Sequence, residues 1–385
     1  MTARPRVRRR TPLVGMFALV TSLVLLAVAI LAIIPAPTYN LWKLKILVTE
    51  CGHFVAPVAL LSLLFWRRSK LTRAAAVIAA IASCILLVPT INALHVLRSL
   101  PEPRPSVFRF IGSLYSGREI PVTPRRLMIR VPGAAVLPTD FYTARGRTKA
   151  SGKAGPLIVV IHGGSWQGGD PAQLAPLNYR LAHEGYAVAA ISYRFAPREK
   201  FPTQLSDVRE QVSWLRANAR ELGFDPDRIV VMGRSAGGQL ALLTAYADRD
   251  PFVIGTIAFY APADLTWGYA HPSPPRVHPS QRLLREYVGG EPVTHARAYA
   301  TASPITFADS ASPPTLLVHG GSDELVSIEH SKRLANVLLR ARNPARFVIL
   351  PWATHGCDYI VRGPCYQISS IVVEGFLLRV APISN

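Results

Sequence analysis

Val230-Val231-Met232-Gly233-Arg234-Ser235-Ala236-Gly237-Gly238 is the stretch on which the reading of this 385-residue chain turns. An apolar run enters Gly-x-Ser-x-Gly, and a helical pattern over Ala236–Ala247 begins at once. That strand–turn–helix context presents a serine as a nucleophile. The turn is tight enough that Gly233 and Gly237 are needed to avoid side-chain clashes. The helix start behind Ser235 favours negative charge developing beside it. A glycine-rich turn with an incidental serine is the bland alternative, and it does not account for the strand and helix on either side.

A serine hydroxyl is a weak nucleophile unless a base takes its proton and an acid orients the base. After an elbow of this kind, acid and histidine are expected in that order, each beyond a strand's C-terminal end. Thr315–Val318 is strand-like and runs through His319-Gly320-Gly321-Ser322 to Asp323. Phe347–Leu350 is the next such run, with His355 in the loop after it. Asp323 and His355 are therefore the candidate partners of Ser235. Glu324 is the fallback acid, and Asp264 reads as a loop-capping aspartate. His319 ends a strand, while His271 and His278 lie in a Pro-rich loop, so these contexts suit the base less well. Upstream, Ile158–Ile161 leads into His162-Gly163-Gly164-Ser165-Trp166. Glycines there let backbone approach a substrate oxygen, so Gly163, Gly164 and Ala236 are the candidate oxyanion donors. His162 reads as loop-fixing, and Ser165 has no elbow around it.

Around these sites, short apolar runs alternate with helical patterns. Arg126–Val131 and Val136–Thr143 form an expected hairpin about Pro132 and Gly133. A polar stretch, 144–155, separates it from the runs Leu157–Ile161, Ala187–Ser192, Ile229–Met232, Ile254–Tyr260, Thr315–Val318 and Phe347–Leu350. Helical spacing is clearest over Thr203–Leu222 and is also read over Ile328–Arg340 and Ile368–Val380. Continuous apolar strands separated by helices imply an α/β architecture, a mostly parallel sheet covered on both faces. Residues 264–303 form a longer, cap-like insertion. Trp267 within it and Trp166 read equally as acyl-pocket lining and as packing aromatics.

From about residue 125 to 380 the chain resembles the bacterial carboxylesterase branch of the α/β-hydrolases, near the hormone-sensitive-lipase-like and kynurenine-formamidase-like enzymes. The resemblance rests on His162-Gly163-Gly164-Ser165-Trp166, Tyr193-Arg194-Phe195-Ala196-Pro197, Phe201-Pro202, Asp207, Gly233–Gly238, Ser303-Pro304, His319-Gly320 with Asp323, and His355-Gly356. It implies an α/β-hydrolase fold, a Ser235–His355–Asp323 triad, and backbone donors at Gly163, Gly164 and Ala236. Where lipase-like members carry a third glycine, this chain has Ser165, which leans toward small esters. The implied chemistry is serine ester hydrolysis through an acyl-enzyme, with no metal or organic cofactor. An acyltransferase acting on an envelope glycan or lipid, and an inactive membrane scaffold, are the competing readings.

Residues 1–100 lie outside that resemblance. They hold one acidic residue, Glu50, against twelve Lys or Arg, so +11 of the formal net charge of +20 is concentrated there. The charge flanks apolar runs, as at Arg4–Arg10 and Arg67–Arg73, which is a membrane pattern. No aromatic-interleaved basic patch accompanies it, which argues against nucleic-acid binding. Spans are expected over 13–34, 44–66 and 74–97. A cleaved signal peptide is the alternative for the first span, and the surroundings of Ala36 make a poor cleavage site. Glu50 and His53 are expected near the interface at a helix start rather than along a polar pathway. Residues 101–124, rich in Pro, Arg and Gly, read as a connector to the domain 125–385. Basic loops held in the cytoplasm would place that domain outside it. Cys51 and Cys84 read as small apolar residues. Cys357 and Cys365 lie eight apart and would be free to pair in an oxidising compartment. The oligomeric state is not legible.

Overall fold

The computed structural model describes residues 11–65, 69–101, 104–145 and 154–383. Arg4–Arg10, Arg67, Arg68 and most of the polar stretch 144–155 lie outside these. Three long helices come first, α1 (Thr11–Ile30), α2 (Tyr39–Leu60) and α3 (Lys70–Ser99). Thr38 caps α2, and Ser69 and Thr72 form a capping box at the start of α3. The segments Leu13–Ile30, Tyr39–Leu64 and Lys70–Ser99 are long and apolar enough to cross a membrane. Small residues let them approach: Ala29, Ala56 and Ala82 pack with Val48 and Leu86, and a Cβ on Gly52 would sit 2.3 Å from the Leu86 carbonyl oxygen.

The connector differs from expectation, because it contains a helix, α4 (Val107–Ser116). Ser106 caps it, and Phe110 and Leu114, one turn apart, are buried. Its flanking prolines and arginines mask so short a period.

An eight-stranded sheet follows, in the order β1-β2-β4-β3-β5-β6-β7-β8. β1 (Arg125–Arg130) and β2 (Val136–Tyr142) form the expected antiparallel hairpin, and Gly133 takes φ 79° in the turn. β2 pairs antiparallel with β4 (Ala187–Ile191). The remaining pairs are all parallel, through β3 (Gly155–Ile161), β5 (Phe224–Arg234), β6 (Val253–Phe259), β7 (Thr315–Gly320) and β8 (Arg346–Leu350).

Every residue of β3 is buried, because both faces of the sheet are covered. Its side chains alternate between two cores. Val159 and Ile161 meet α6 (Thr203–Ala217), α8 (Ala236–Ala247) and α12 (Glu329–Arg340). Ile158 and Val160 face α5 (Ala175–Glu184) and α13 (Pro364–Val380). Ala93 and Leu97 of α3 and Phe110 and Leu114 of α4 share that second core. Short α7 (Ala219–Leu222) precedes β5. The insertion holds α9 (Leu265–Ala270), α10 (Ser280–Val288) and α11 (Ala296–Thr301).

Glu50 and His53 lie in the middle of α2 rather than at a helix start. Both are buried: Glu50 accepts from Trp352 Nε1 at 3.1 Å and from the Cys365 amide at 2.8 Å, while His53 Nε2 lies 3.3 Å from the Leu114 carbonyl oxygen. A carboxyl group removed from water needs such donors, and these come from a part of the chain about 300 residues away. Cys357 and Cys365 are disulfide-bonded, while Cys51 and Cys84 are free.

Candidate active site

β5 delivers Ser235 on a turn that only close backbone packing permits. Ser235 has φ 54°, a left-handed conformation that strains a residue with a side chain. Its amide donates to Phe259 O at 2.9 Å, which pins the turn to β6. A Cβ on Gly233 would lie 2.1 Å from Gly237 O, and one on Gly237 would lie 2.2 Å from Ile161 O. Both glycines are therefore required by close approach.

The loops after β7 and β8 bring the expected partners to the serine. His355 Nε2 lies 2.9 Å from Ser235 Oγ, and His355 Nδ1 lies 2.7 Å from Asp323 Oδ2. Asp323 Oδ1 accepts the amides of Leu325 and Val326, each at 2.9 Å. Burial pushes the Asp323 carboxyl up, but His355 and His319 outweigh it and hold it well below the ordinary carboxylate range. Asp323 is thus a fixed anion behind the imidazole.

Glu324, Asp264 and His162 are engaged elsewhere, while His319 backs the triad acid, its Nε2 3.3 Å from Asp323 Oδ2. Glu324 turns to Lys45 and Thr354. Asp264 caps α9 through the Trp267 amide and pairs with Arg333. His319 Nδ1 meets Ser331 Oγ at 2.7 Å and its Nε2 meets Val326 O at 2.9 Å. His162 Nδ1 meets Gly163 O at 2.8 Å, a loop-fixing contact, and its ring stacks on Tyr193.

Gly163 passes close behind the nucleophile, since a Cβ there would lie 3.3 Å from Ser235 Cβ. Its amide donates to Gln173 Oε1 at 2.9 Å. Gly164, at φ 126°, and Ser165, at φ 54°, continue the loop. A cavity of about 420 Å³ opens beside Ser235, with Ser165, Trp166, Ala236, Trp267 and Leu283 among its walls. The two tryptophans line it and pack as well. Trp166 stacks on Tyr287 with ring centroids 4.0 Å apart and donates to Gln239, while Trp267 stacks on His271. His278 also lines the cavity, and burial, reinforced by nearby His355, pushes its pKa down to about 4, so it is neutral.

Beneath the elbow lies a network not anticipated from sequence. Arg234 Nε donates to Asp358 Oδ2 at 2.6 Å, and Tyr260 OH donates to Asp358 Oδ1 at 2.6 Å. The Tyr260 ring sits 4.4 Å from that of His355. The adjacency of Arg234 to Ser235 is the one local signal that could have suggested it. Among the described residues no cluster of His, Cys, Asp or Glu could hold a metal ion.

Comparison with known proteins gives the family and the fold. A family model described as BD-FAE matches residues 140–338, just over half of the chain. The chain is 31% identical over 240 residues to a probable carboxylic ester hydrolase, LipM, of Mycobacterium tuberculosis, an alignment covering 58% of this chain and 54% of LipM. It is 29% identical over 218 residues to esterase LipQ of the same organism, covering 54% and 52% respectively. The chain spans about half the length of these relatives. Among solved structures, a thermophilic esterase of the planctomycete Thermogutta terrifontis matches with a TM-score of 0.56 and 25% identity, over 68% of this chain and 94% of that one. A hyperthermophilic esterase of the archaeon Pyrobaculum calidifontis gives a TM-score of 0.58 and 25% identity, over 76% and 94%. The chain belongs to the BD-FAE family, and its fold is that of the α/β-hydrolase esterases.

Proposed function

We propose that this protein is a serine carboxylesterase, anchored in a membrane by α1, α2 and α3, that cleaves short- to medium-chain acyl esters through Ser235, His355 and Asp323. The observation that carries this reading is the unbroken line of hydrogen bonds from Asp323 through His355 to Ser235 at the wall of the cavity. His355 takes the Ser235 proton as Oγ attacks the acyl carbonyl, and anionic Asp323 stabilises the imidazolium. The protonated His355 then protonates the departing alcohol. Water, deprotonated by His355, cleaves the acyl-enzyme and restores the serine.

The oxyanion falls to backbone amides, each worth about 2.7–4 kcal/mol in comparable sites. Ala236 and Gly164 are the donors favoured, and Ala236 lines the cavity together with Ser165, the residue after Gly164. Gly163 serves only if Gln173 releases its amide. The relatives' esterase names support the reaction class, and a cavity of about 420 Å³ supports a modest acyl group.

An extracytoplasmic catalytic domain fits the basic residues between the second and third spans and the Cys357–Cys365 disulfide. Alkaline phosphatase fused after residue 385 is then active in cells; an inactive fusion reverses the orientation. For the reaction, full-length protein in detergent is assayed on p-nitrophenyl esters of increasing chain length, with and without an alcohol acceptor. Turnover that is lost in Ser235→Ala supports the proposal. Acyl transfer that outruns hydrolysis replaces it with an acyltransferase, and no turnover by folded protein replaces it with a scaffold.

A further inference from the structure

Two loops carry the residues that orient and deprotonate Ser235, and the first half of α2 touches both. Lys45 is buried, and its Nζ donates to Glu324 Oε1 at 2.5 Å and to Ile34 O at 3.0 Å. Glu324 directly follows Asp323. Its other oxygen, Oε2, accepts from Thr354 Oγ1 at 2.5 Å. Thr354, fully buried, directly precedes His355 and accepts a hydrogen bond from Trp42 Nε1 at 3.2 Å. The acid loop and the base loop are thus joined twice, once by Asp323–His355 and again, one residue away in each loop, by Glu324–Thr354. Both members of the second bridge are held by α2. Two turns further along, Glu50 holds the base loop again through Trp352.

Docking alone would be met by apolar contact, which exists here: Ala36 and Trp42 pack against Val277 and Leu325. The polar bridge needs a further reason. Glu324 is a nearly buried carboxylate next in sequence to anionic Asp323, an arrangement that costs free energy unless a cation compensates. Lys45 is that cation, supplied by a segment apolar enough to cross a membrane.

We propose that α2 is a positioning element of the active site, with Lys45 and Trp42 fixing Glu324 and Thr354 and so the alignment of Asp323 with His355. The proposal rests on the esterase reading above. Misalignment of reacting groups by about 1 Å costs up to roughly a hundredfold in rate, mostly in the chemical step.

The test uses full-length protein in detergent micelles, with kcat and KM measured on p-nitrophenyl butyrate. Thr354→Val keeps the side-chain shape and loses the hydroxyl, whereas Thr354→Ser keeps the hydroxyl. The expected result is a kcat lowered about tenfold or more in Thr354→Val and in Lys45→Met, with KM changed less than about twofold and Thr354→Ser close to wild type. The double variant Lys45→Met/Thr354→Val should lose little more than the worse single, because both cut one network. Wild-type kcat in Thr354→Val, equal losses in the valine and serine variants, or losses that multiply in the double would overturn the proposal. Should Lys45→Met fail to fold, the valine–serine pair decides alone. Labelling of wild-type protein by a fluorophosphonate separates the two levels: an unlabelled wild type removes the esterase reading, whereas a labelled wild type with unaffected variants removes only the role of α2.

Discussion

Asp358→Asn changes almost no volume and removes one charge, which makes it a sensitive probe of the ground beneath the nucleophile. The side chains of Arg234 and Asp358 are 4% and 2% exposed, so the pair is cut off from water. Burial lowers the pKa of the guanidinium, but Asp358 and Tyr260 more than compensate and raise it, so Arg234 stays charged. With asparagine opposite, that cation has no counter-charge. Breaking a buried pair from one side costs about 3–5 kcal/mol. At about 2–4 °C per kcal/mol for a domain of this size, the melting midpoint should fall by roughly 6–20 °C. The assay is thermal unfolding in detergent at one fixed heating rate, with the Cys357–Cys365 disulfide kept oxidised. The double variant Arg234→Met/Asp358→Leu should recover most of the loss, since a buried pair replaced by apolar groups is often neutral. A shift below 2 °C in Asp358→Asn, or a double variant as unstable as the single, would refute the reasoning.

Further outcomes follow from other parts of the structure. Gly237→Ala places a Cβ 2.2 Å from Ile161 O and 2.3 Å from His162 O, so folded protein should be lost, whereas Gly375→Ala meets nothing within 4 Å and should express normally. His330 is buried, with Asp264, Arg333, His319 and Asp323 around it, and burial first, then His319, lowers its pKa to about 3. Below pH 6.5 the unfolded chain therefore binds a proton that the folded chain refuses. Its contribution to stability is complete above pH 6.5 and declines as pH falls toward 3, with a slope approaching about 1.4 kcal/mol per pH unit. His330→Gln should flatten that limb in denaturant titrations at several pH values; an unchanged slope counts against it. Leu283→Trp narrows the cavity and should move the preferred p-nitrophenyl ester to a shorter chain, while an unchanged chain-length profile would place the acyl group elsewhere.

What the sequence reveals is what is local. Ile158–Ile161, Val230–Met232 and Thr315–Val318 are read as strands because a strand buried on both faces is apolar at every position. Gly233 and Gly237 declare their turn because only glycine fits it. Helix α4 is missed because ten residues give too few repeats, and two of its contacts, Phe110 and Leu114, are all that its burial requires. That Glu50 and His53 are buried in mid-helix is missed for a different reason. Within an apolar segment a carboxylate suggests an interface or a pathway, and nothing nearby reports that Trp352 and the Cys365 amide satisfy it. The same holds for Lys45 and Glu324, and for Arg234 and Asp358, whose pairing exists only once the sheet is assembled. Ser235, Asp323 and His355 could be named because the order of strands fixes their order in the chain. Gln173, which engages the Gly163 amide, follows from no such rule.

The account stands on Ser235 as the nucleophile, and one measurement meets that claim directly. Full-length protein in detergent is incubated with a fluorophosphonate and digested, and the modified peptide is identified by mass. The account predicts a stoichiometric adduct on Ser235 that forms in step with the loss of ester turnover, and no adduct in Ser235→Ala. An adduct on another residue, or turnover that survives in Ser235→Ala, would contradict it.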